Sequence, residues 1–594
     1  MNLGRRLATL GRAPLPEWQE LAQATARPGP ASRWLADRFL LCLALPYLVL
    51  LVGVLAGIPI LALTGWLLGS VLDWAATRAD SPVSRIAQTA GATPALRAAL
   101  RTLLVVWTLA APASAAGYVL VVVISQAAWL GLTGLASGFS RSAPPLRYRP
   151  GSDDQPQPLA GYSSFYRRAG GTPAAFVAAE AVALAGALAP AAGQPVLATV
   201  LLVVAASLAV VYAAVAASGF LRLLRRADAD AASLVADLAA TDPRYLVHVS
   251  LGAGQSRYIA NQWLPVLDAT PTNGLIAVRE ASQLAPLLAT RVPVVYAPSP
   301  RNLEQVTLPQ VSAALYLAYG EKNAHLLREP RLTHVMLLHG DSDKATSSNA
   351  QARAFDQVWV AGQAAVDRYR TAGVALAPDQ VVLIGRPQVE RLLALPPRDP
   401  GLPPVVLYAP TFEGYYAETA HSSLDTMGVA MVRQLLEQFP DVEVWFKPHP
   451  ASGVVRPSML AAIAEIEDLL RGGPHVLVDR RPDLTLTDCL ARADVLVSDV
   501  SSVISDFLAT GRPVAVTNPA GLPDDEFRAA YPSQRGSYLV GPDLAGFEAS
   551  IADALGGDSL RREREAVVGY LLGDLPDGPQ AAFDAALARV TSAD

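Results

Sequence analysis

The sequence predicts an α/β protein with N-terminal transmembrane helices followed by two Rossmann-like domains. The first 226 residues contain long stretches almost free of charge, whereas residues 227–594 alternate short apolar strands with amphipathic helices. Such alternation is typical of βαβ units and parallel sheets. A proline-rich break at 396–400 interrupts the alternation, which then restarts. We therefore expect a cytoplasmic leader (1–38), a transmembrane region (39–226) and two Rossmann-like domains (227–395 and 401–594).

The composition narrows the class of protein. Hydrophobic residues make up 52% of the 594 residues and charged residues 17%, which is more apolar than a soluble enzyme of this length normally is. A nucleic-acid-binding protein normally has a strongly basic face, and the formal net charge here is −5. We therefore expect no nucleic-acid partner. Cys42 and Cys489 fall in different parts of the chain, so neither a disulfide framework nor a thiolate metal site is expected.

Three apolar stretches, 39–72, 102–139 and 172–221, make up the predicted transmembrane region. A membrane span needs about 20 apolar residues, so the first two stretches predict one tilted or extended span each. The third is long enough for two spans, joined by a turn at 191–195. The prediction is four spans. Two alternatives are that the first two stretches are re-entrant or interfacial, and that the whole region is a buried helical bundle of a soluble protein.

Basic residues in the loops predict the orientation of these spans, because cytoplasmic loops are enriched in Arg and Lys. Basic residues precede the first span, follow the second and follow the last: Arg5, Arg6, Arg12, Arg27, Arg33, Arg38, Arg141, Arg147, Arg149, Arg167, Arg168, Arg222, Arg225 and Arg226. The prediction is a multi-pass protein of the cell membrane with its catalytic domains in the cytoplasm. The loop at 73–101 departs from the rule, since it would face outward yet carries several arginines.

The predicted strands fall into two sets. The first domain has Tyr245–Val249, Gly274–Val278, Val292–Ala297, Val335–His339, Gln357–Ala361 and Val381–Gly385, and the second has Val405–Ala409, Val442–Lys447, His475–Asp479, Ala493–Ser498 and Pro513–Thr517. Open α/β sheets bind ligands beyond the carboxyl ends of their strands. We therefore expect the site among the residues that end or follow these strands, in a crevice between the two domains.

The first candidate segment is Leu-Leu-His-Gly-Asp-Ser-Asp-Lys, 337–344. His339 ends a predicted strand and Gly340 opens a turn, so the imidazole is a candidate general base. The alternative is a structural or helix-capping histidine. Asp341 and Asp343 form an Asp-x-Asp pair, which we interpret as a charged turn. The histidines are scattered and suggest no ligand cluster, so the prediction is no metal and no cofactor.

The second candidate segment is Val-Trp-Phe-Lys-Pro-His-Pro, 444–450. Lys447 ends a predicted strand, and His449 lies between two prolines. Because proline fixes its own φ and restricts the preceding residue, this turn is stiff. A stiff turn that presents Lys and His suits an anion contact that is organised before the reaction begins. The alternative is a rigid surface turn with a solvated lysine.

The third candidate segment, 493–507, predicts a strand end followed directly by a helix start. Ser498 and Asp499 end the strand, and the helix begins near Ser501 or Ser502. A helix N-terminus offers free backbone N–H groups and the positive end of the helix dipole, which bind phosphate. Asp506, one turn further along, is placed to reach a ribose hydroxyl. Plain N-capping by a serine is the alternative.

The fourth candidate segment is Leu-Tyr-Ala-Pro-Thr-Phe-Glu-Gly, 407–414. Thr411 follows the first strand of the second domain, where it is a candidate contact for a donor phosphate or nucleoside. Ile-Gly-Arg-Pro at 384–387 ends the first domain and makes Arg386 a further candidate. Gly340 and Asp341 are candidates as neighbours of His339.

In this order, His-Gly, Gly-Arg-Pro, Tyr-Ala-Pro-Thr, Lys-Pro-His-Pro and Ser-Asp-x-Ser-Ser resemble the CDP-glycerol glycerophosphotransferase family over about residues 330–520. The resemblance implies a GT-B fold and transfer of glycerol phosphate from CDP-glycerol to a lipid-linked acceptor hydroxyl, with release of CMP. It also implies that His339 and His449 are the family histidines. The donor-binding residues it implies are Ser498, Asp499, Ser501, Ser502 and Asp506.

Three features depart from the family pattern. The family usually has Trp before His-Gly and Thr-Pro-Leu-Lys after it, whereas this chain has Leu338 and Asp341-Ser342-Asp343-Lys344. Val500 stands where the family often has Tyr. Many members of the family are also peripheral membrane proteins, whereas this chain is predicted to have integral spans. These differences bear on donor and acceptor identity more than on the fold.

The predicted function is therefore that of a membrane-anchored transferase of teichoic-acid-type polymer synthesis. Its predicted partners are CDP-glycerol or another nucleotide-activated donor, a lipid-linked or polymer acceptor, and the membrane. In the predicted mechanism one histidine, with His339 preferred, accepts the acceptor's proton, while His449 and Lys447 stabilise the phosphate. The alternatives are a glycosyltransferase that uses a nucleotide sugar, and a non-catalytic membrane protein with a degenerate transferase domain.

Overall fold

The structure is a computed structural model. It covers residues 39–56, 58–78, 97–98, 100–101, 120–121, 123–125, 127–128, 144–150, 178–179, 181–183, 185, 193–251, 258–280, 283–284, 287–338, 340–344, 347–396, 399, 401–414, 421–450, 452–453, 456–481 and 484–592. By compactness the chain divides into two units. The first comprises Met1–Ala240, Ala277–Pro286 and Val294–Leu308, and the second comprises Thr241–Ile276, Leu287–Pro293 and Pro309–Asp594.

The secondary structure confirms the α/β prediction. The strands are β1 (Leu146–Tyr148), β2 (Tyr245–Val249), β3 (Gly274–Val278), β4 (Val294–Tyr296), β5 (Ala313–Tyr316), β6 (Thr333–Met336), β7 (Gln357–Val360), β8 (Val381–Leu383), β9 (Val405–Ala409), β10 (Glu443–Phe446), β11 (Val476–Leu477), β12 (Val495–Ser498), β13 (Val514–Thr517) and β14 (Tyr538–Val540). The α-helices are α1 (Phe39–Leu55), α2 (Pro59–Arg78), α3 (Pro195–Ala239), α4 (Tyr258–Ala269), α5 (Pro300–Val306), α6 (Ala324–Leu327), α7 (Gln363–Thr371), α8 (Glu390–Leu393), α9 (Val429–Gln438), α10 (Pro457–Leu469), α11 (Leu486–Arg492), α12 (Ser502–Leu508), α13 (Asp524–Ala530), α14 (Phe547–Leu555), α15 (Arg561–Leu572) and α16 (Pro579–Thr591).

In the first unit, the apolar stretch 39–72 forms two helices and not the single predicted span. Helix α2 begins at Pro59, a residue whose fixed φ and missing N–H suit the first position of a helix. The backbones of α1 and α2 are in contact, since a Cβ atom added at Gly53 would collide with the Ala62 nitrogen. The single-span prediction was wrong because it counted apolar residues and did not treat Ala-Gly-Ile-Pro at 56–59 as a helix break.

Helix α3 is 45 residues long, and its first part carries the membrane signal. Pro195–Gly219 is, across the ranges that the structure describes, the one helix long and apolar enough to cross a membrane. The prediction of four spans and a multi-pass protein is therefore not supported. Most of the predicted span 102–139, and most of 172–192, lies outside the described residues. In the same unit β1 pairs antiparallel with β4, with Arg147 opposite Val295.

The second unit contains two parallel sheets in succession, which we call its N-terminal and C-terminal lobes. The N-terminal lobe is built on β2, β5, β6, β7 and β8, which lie side by side in that order and run parallel. Residues Tyr245–Val249 of β2 are buried throughout, as expected for a strand covered on both faces. Strand β5 was not predicted, and β6 begins at Thr333 and ends at Met336, before the predicted end at His339.

The C-terminal lobe is built on a six-stranded sheet in the order β11-β10-β9-β12-β13-β14, in which each of the five neighbouring pairs is parallel. The strands predicted at 405–409, 442–447, 493–498 and 513–517 are present with shifts of at most two residues at an end. One apolar layer on each face of the sheet forms the core, with Leu407, Leu496 and Phe507 in one layer and Val406, Met431 and Val497 in the other.

The last two helices of the chain return to the N-terminal lobe. On α16, the Phe583 ring lies 5.8 Å from the ring of Trp263 and 5.7 Å from the ring of Trp359. On α15, the backbone at Leu571 approaches Gly362, where an added Cβ atom would lie 2.6 Å from the Leu571 oxygen. These contacts brace the N-terminal lobe against the helices that follow the second sheet.

We expect Gly362→Ala to lower the free energy of unfolding by about 1–3 kcal/mol, because the new methyl group must push the α15 backbone away. Gly569→Ala on α15 is the matched control: an added Cβ there has no neighbour within 4 Å, and alanine stabilises a helix interior by up to about 1 kcal/mol over glycine. Urea unfolding of the two variants measures both effects. Equal stability of the two variants would contradict the close packing at Gly362.

Candidate active site

The candidate site lies at the carboxyl ends of the strands of the C-terminal lobe. Phe446 of β10 is opposite Tyr408 of β9, which in turn is opposite Val497 of β12. The residues that follow, Lys447, Pro410–Thr411 and Ser498–Asp499, therefore leave the sheet at one edge. Lys447 and Ser498 do not end neighbouring strands, because β9 lies between β10 and β12.

Asp499 is the centre of a buried hydrogen-bond network at this edge. Its side chain has no exposed surface and accepts hydrogen bonds from the Thr411 N–H at 2.7 Å, the Ser423 N–H at 3.1 Å and the Thr517 hydroxyl at 2.5 Å. Burial raises the pKa of this carboxyl above its ordinary value, against the opposing effect of these hydrogen bonds. Ser498 is also fully buried, and its hydroxyl donates to the Ala409 oxygen at 2.6 Å. Both residues position the loop that carries Thr411.

The segment from His421 to Gly428 closes the other side of the Thr411 loop. The Ser422 hydroxyl donates to the Thr411 oxygen at 2.9 Å, and the hydroxyls of Ser423 and Tyr408 are 2.9 Å apart. Leu424–Gly428 then forms a π-helical turn that leads into α9. Such widened turns are rare and occur frequently at functional sites.

Glu413 ties the Thr411 loop to the segment that follows Lys-Pro-His-Pro. Its carboxylate is buried and accepts hydrogen bonds from the Arg456 N–H at 2.9 Å and the Gly453 N–H at 3.3 Å. In the same region the His449 ring lies 5.5 Å from the Phe412 ring, centroid to centroid. His449 therefore lies beside the loop that carries Thr411, which is consistent with one site formed by residues that follow β9 and β10.

Lys447 lies on the side of the sheet covered by α11. Its ammonium is 3.4 Å from an Asp479 carboxylate oxygen, and its side chain is 18% exposed. Burial raises the pKa of the nearby Cys489 thiol to about 11, with the charge of Lys447 acting in the opposite direction. Lys447 is thus part of the strand-end edge, in an ion pair with a half-exposed carboxylate.

The turn after Gly340 reaches the C-terminal lobe through Lys344. The Lys344 ammonium lies 2.5 Å from the Thr411 hydroxyl oxygen and 5.5 Å from the centroid of the Phe412 ring. Burial lowers the pKa of this ammonium to about 8, against the attraction of the Asp499 carboxylate. Lys344 lies in the first candidate segment but was not predicted to be a site residue.

The two aspartates of this turn are held by protein groups. Arg368 forms ion pairs with Asp341 and, at 3.0 Å, with Asp343. Asp343 also accepts hydrogen bonds from the Ser533 N–H at 2.9 Å and its hydroxyl at 2.8 Å. Burial raises the pKa of the Asp343 carboxyl, against the effect of the Ser533 hydrogen bonds. Within the described ranges no group of three or more His, Cys, Asp or Glu side chains could hold a metal ion.

Leu338, the residue before His339, has the left-handed backbone conformation, with φ of 59°. This conformation is uncommon for residues other than glycine, and the Trp263 indole N–H donates to the Leu338 oxygen at 2.9 Å. His339 itself lies outside the described residues. Gly340 packs against α12, where an added Cβ atom would be 2.9 Å from the Ser502 hydroxyl oxygen.

The predicted helix start is present: α12 begins at Ser502, and the Ser501 hydroxyl accepts from the Val503 N–H at 3.4 Å. Asp506 was predicted to reach a ribose hydroxyl, but the structure pairs it with another side chain. Its carboxylate is buried in an ion pair with Arg386, at 2.7 and 2.9 Å from two guanidinium nitrogens. Because Arg386 follows β8, this pair joins the N-terminal lobe to α12.

The structure thus brings Thr411, Lys447, His449, Ser498 and Asp499 to one edge. Gly340 and Asp341 lie against α12, where the Ser505 hydroxyl donates to the Asp341 oxygen at 2.9 Å. Sequence analysis missed Lys344, His421 and Glu413. The sequence signal that could have found them is their position, since each lies within 15 residues after the end of a strand.

We expect Asp499→Asn to lower the free energy of unfolding by about 2–3 kcal/mol, because an amide N–H₂ would face hydrogen-bond donors in a buried site. Thr517→Val removes one donor and leaves the other two hydrogen bonds of Asp499, so it should cost about 1 kcal/mol. Urea unfolding measures both. An unchanged midpoint for Asp499→Asn would show that the network does not stabilise the lobe.

Part of the chain that forms this site is similar to a known family. Residues 386–538 match the model of the family described as CDP-Glycerol:Poly(glycerophosphate) glycerophosphotransferase. No curated protein sequence matches the chain.

Among solved structures, the wall teichoic acid polymerase TagF is similar with 14% identity and a TM-score of 0.41, over 60% of this chain and 93% of that one. The UDP-forming α,α-trehalose-phosphate synthase from Burkholderia vietnamiensis is similar with 14% identity and a TM-score of 0.34, over 59% of this chain and 100% of that one. The family match confirms the resemblance inferred from the motifs. Residues 386–538, which contain Thr411, His449 and Asp499, are therefore similar in sequence to the CDP-glycerol glycerophosphotransferases.

Proposed function

We propose that this protein transfers glycerol phosphate from CDP-glycerol to a hydroxyl of a lipid-linked or polymer acceptor and releases CMP, in the synthesis of a cell-envelope polymer of the teichoic-acid type. The observation that carries the proposal is the convergence of Thr411, His449 and Lys447 at one strand-end edge within the segment that matches the family. The ordered Ser498–Ser502 strand end and helix start complete that edge.

The proposed reaction is a direct displacement at phosphorus. A histidine, His339 in our proposal, accepts the proton of the acceptor hydroxyl, and the oxygen attacks the β-phosphorus of the donor. The new O–P bond forms as the bond between the β-phosphorus and the bridging oxygen breaks, and CMP leaves with that electron pair. His449 and Lys447 stabilise the charge that develops on the phosphate oxygens, the task for which preorganised donors are most effective.

The backbone around Ser501 and Ser502 is proposed to hold the diphosphate. The Ser501 hydroxyl caps the Val503 N–H, and capping at one position leaves neighbouring N–H groups of the helix start available to an anion. Thr411 contributes a hydroxyl at the neighbouring loop. Ser498, Asp499 and Asp506 are buried, so we propose that they act by holding the Thr411 loop and α12 in place.

We further propose that Pro195–Gly219 anchors the enzyme to the membrane where the acceptor is found. Its large apolar side chains are exposed in the structure, Val203 and Val211 among them at 59% and 60%. Exposed apolar surface on this scale normally has a partner, and a predominantly apolar segment of 25 residues is long enough for one span. The proposed location is the cell membrane, with the catalytic lobes on the cytoplasmic side.

His339→Ala and His449→Ala should each lower turnover by about 100-fold or more, since each residue is proposed to transfer a proton or stabilise charge. The assay is CMP release by the full-length protein from CDP-glycerol in the presence of membrane lipids. Product analysis in the same reaction identifies the acceptor. A parallel reaction with a UDP-sugar separates this proposal from a sugar transferase.

The matched control is His325→Ala, because His325 lies in α6 and outside the strand-end edge. It should leave turnover within about twofold of the unmodified protein, as expected of a substitution away from the site. If either His339→Ala or His449→Ala retains full turnover, that histidine has no part in the chemistry. If CDP-glycerol gives no CMP under any condition, the proposed reaction is wrong.

A further inference from the structure

The use of lysine in this chain is unusual and localised. Of the 47 Lys and Arg residues, three are lysines: Lys322, Lys344 and Lys447. Two of the three, Lys344 and Lys447, lie in the loops of the candidate site. Lysine differs from arginine because its compact ammonium is a point charge whose pKa shifts readily on burial. A chain that otherwise uses arginine therefore places lysine where phosphate chemistry is proposed.

The environment of the Lys344 ammonium has no matching anion. Its hydrogen-bond partner is the neutral Thr411 hydroxyl, and the Phe412 ring lies beside it. Among the described residues no carboxylate forms an ion pair with it. Asp499 attracts it electrostatically, but the oxygens of that carboxylate already accept hydrogen bonds from Thr411, Ser423 and Thr517. A partly buried cation without a paired anion is costly for the free protein.

A second basic side chain lies close enough to this ammonium to interact with it electrostatically. His421 is partly buried in front of the π-helical turn, with its ring 5.8 Å from the Tyr531 ring. Burial and the charge of Lys344 both lower the pKa of the His421 imidazole, so the two basic groups act on each other. No described carboxylate pairs with His421 either. Because the charged form of each group disfavours that of the other, an anion bound near both would favour the charged ammonium and the protonated imidazole together.

We propose that Lys344, together with Thr411 and His421, binds phosphate oxygens of the donor's diphosphate. The proposal rests on the proposed function, which supplies a nucleoside diphosphate donor. Lys344 follows β6 of the N-terminal lobe, whereas Thr411 and His421 belong to the C-terminal lobe. The phosphate contact thus draws on both lobes. At this place the ammonium stabilises the negative charge that develops on the phosphate oxygens as the bridging P–O bond breaks.

The test compares the binding of cytidine, CMP, CDP and inorganic pyrophosphate to the full-length protein by titration calorimetry at pH 7. Lys344→Gln should weaken CDP and pyrophosphate binding by about 10- to 100-fold, the range expected for loss of a hydrogen bond to a charged group. Cytidine affinity should stay the same, because cytidine has no phosphate. Lys322→Gln is the matched control, since it makes the same change in charge on the turn Glu321–Asn323 away from the site.

Two outcomes would overturn the proposal. One is unchanged CDP affinity in Lys344→Gln. The other is an equal loss for cytidine and CDP, which would mean that Lys344 only braces the Thr411 loop. If Lys344→Gln does not fold, Lys344→Arg replaces it: charge is kept, so CDP should still bind far more tightly than cytidine. Lys344-dependent CDP binding without any CMP release would contradict the transferase proposal while leaving this one standing.

The affinity for CDP should also depend on pH in a way that identifies Lys344. Its pKa in the free protein is lowered to about 8, and a bound phosphate favours the charged ammonium. CDP affinity should therefore fall above about pH 8, by up to about tenfold per pH unit. The groups that face this ammonium are Asp499, His421 and, across the Phe412 ring, His449. Lys344→Arg should bind CDP without that fall, because arginine stays charged; coincident pH profiles would exclude Lys344 as the titrating group.

Discussion

The buried Asp499 carboxylate is the constraint on which the candidate site depends. It holds three separate segments, through the Thr411 N–H, the Ser423 N–H and the Thr517 hydroxyl, and none of its surface is exposed. An unmet hydrogen bond in such a place costs more than a satisfied one contributes. The loop after β9 and the turn before α9 are therefore fixed relative to the end of β12, and Phe412 of that loop lies beside His449.

Contacts between the lobes extend this order to the N-terminal side of the site. The Arg386–Asp506 ion pair and the hydrogen bonds from Ser533 to Asp343 both join the lobes, and both are largely buried. Breaking one partner of a buried pair leaves an uncompensated charge, so the pairs oppose displacement of one lobe along the other. Within that frame the Lys344 ammonium stands at hydrogen-bond distance from Thr411. Residues from both sheets thus form the site, and directional hydrogen bonds and ion pairs hold them together.

Sequence analysis predicted the strands of the C-terminal lobe well, because buried parallel strands are continuous apolar runs bounded by turn residues. It failed where apolar length was the only signal. Residues 39–72 fold as two helices in contact, and an apolar run has the same composition in either arrangement. Strand β5 was also missed, since Ala-Ala-Leu-Tyr at 313–316 is short and is defined by its neighbours β2 and β6. His339 was predicted at a strand end, but β6 ends three residues earlier.

The sequence by itself determined the α/β class, the restart of the pattern after 396–400, and the ordered motifs that resemble the glycerophosphotransferase family. These properties are local, since alternation, turn residues and motif order can be read along the chain. Only the tertiary structure decided that Asp499 and Asp506 are buried anchors, and that Lys344 of one lobe meets Thr411 of the other. Burial and the choice of partner depend on residues distant in sequence, because a charge's solvation and its pairing are set by everything that surrounds it in space.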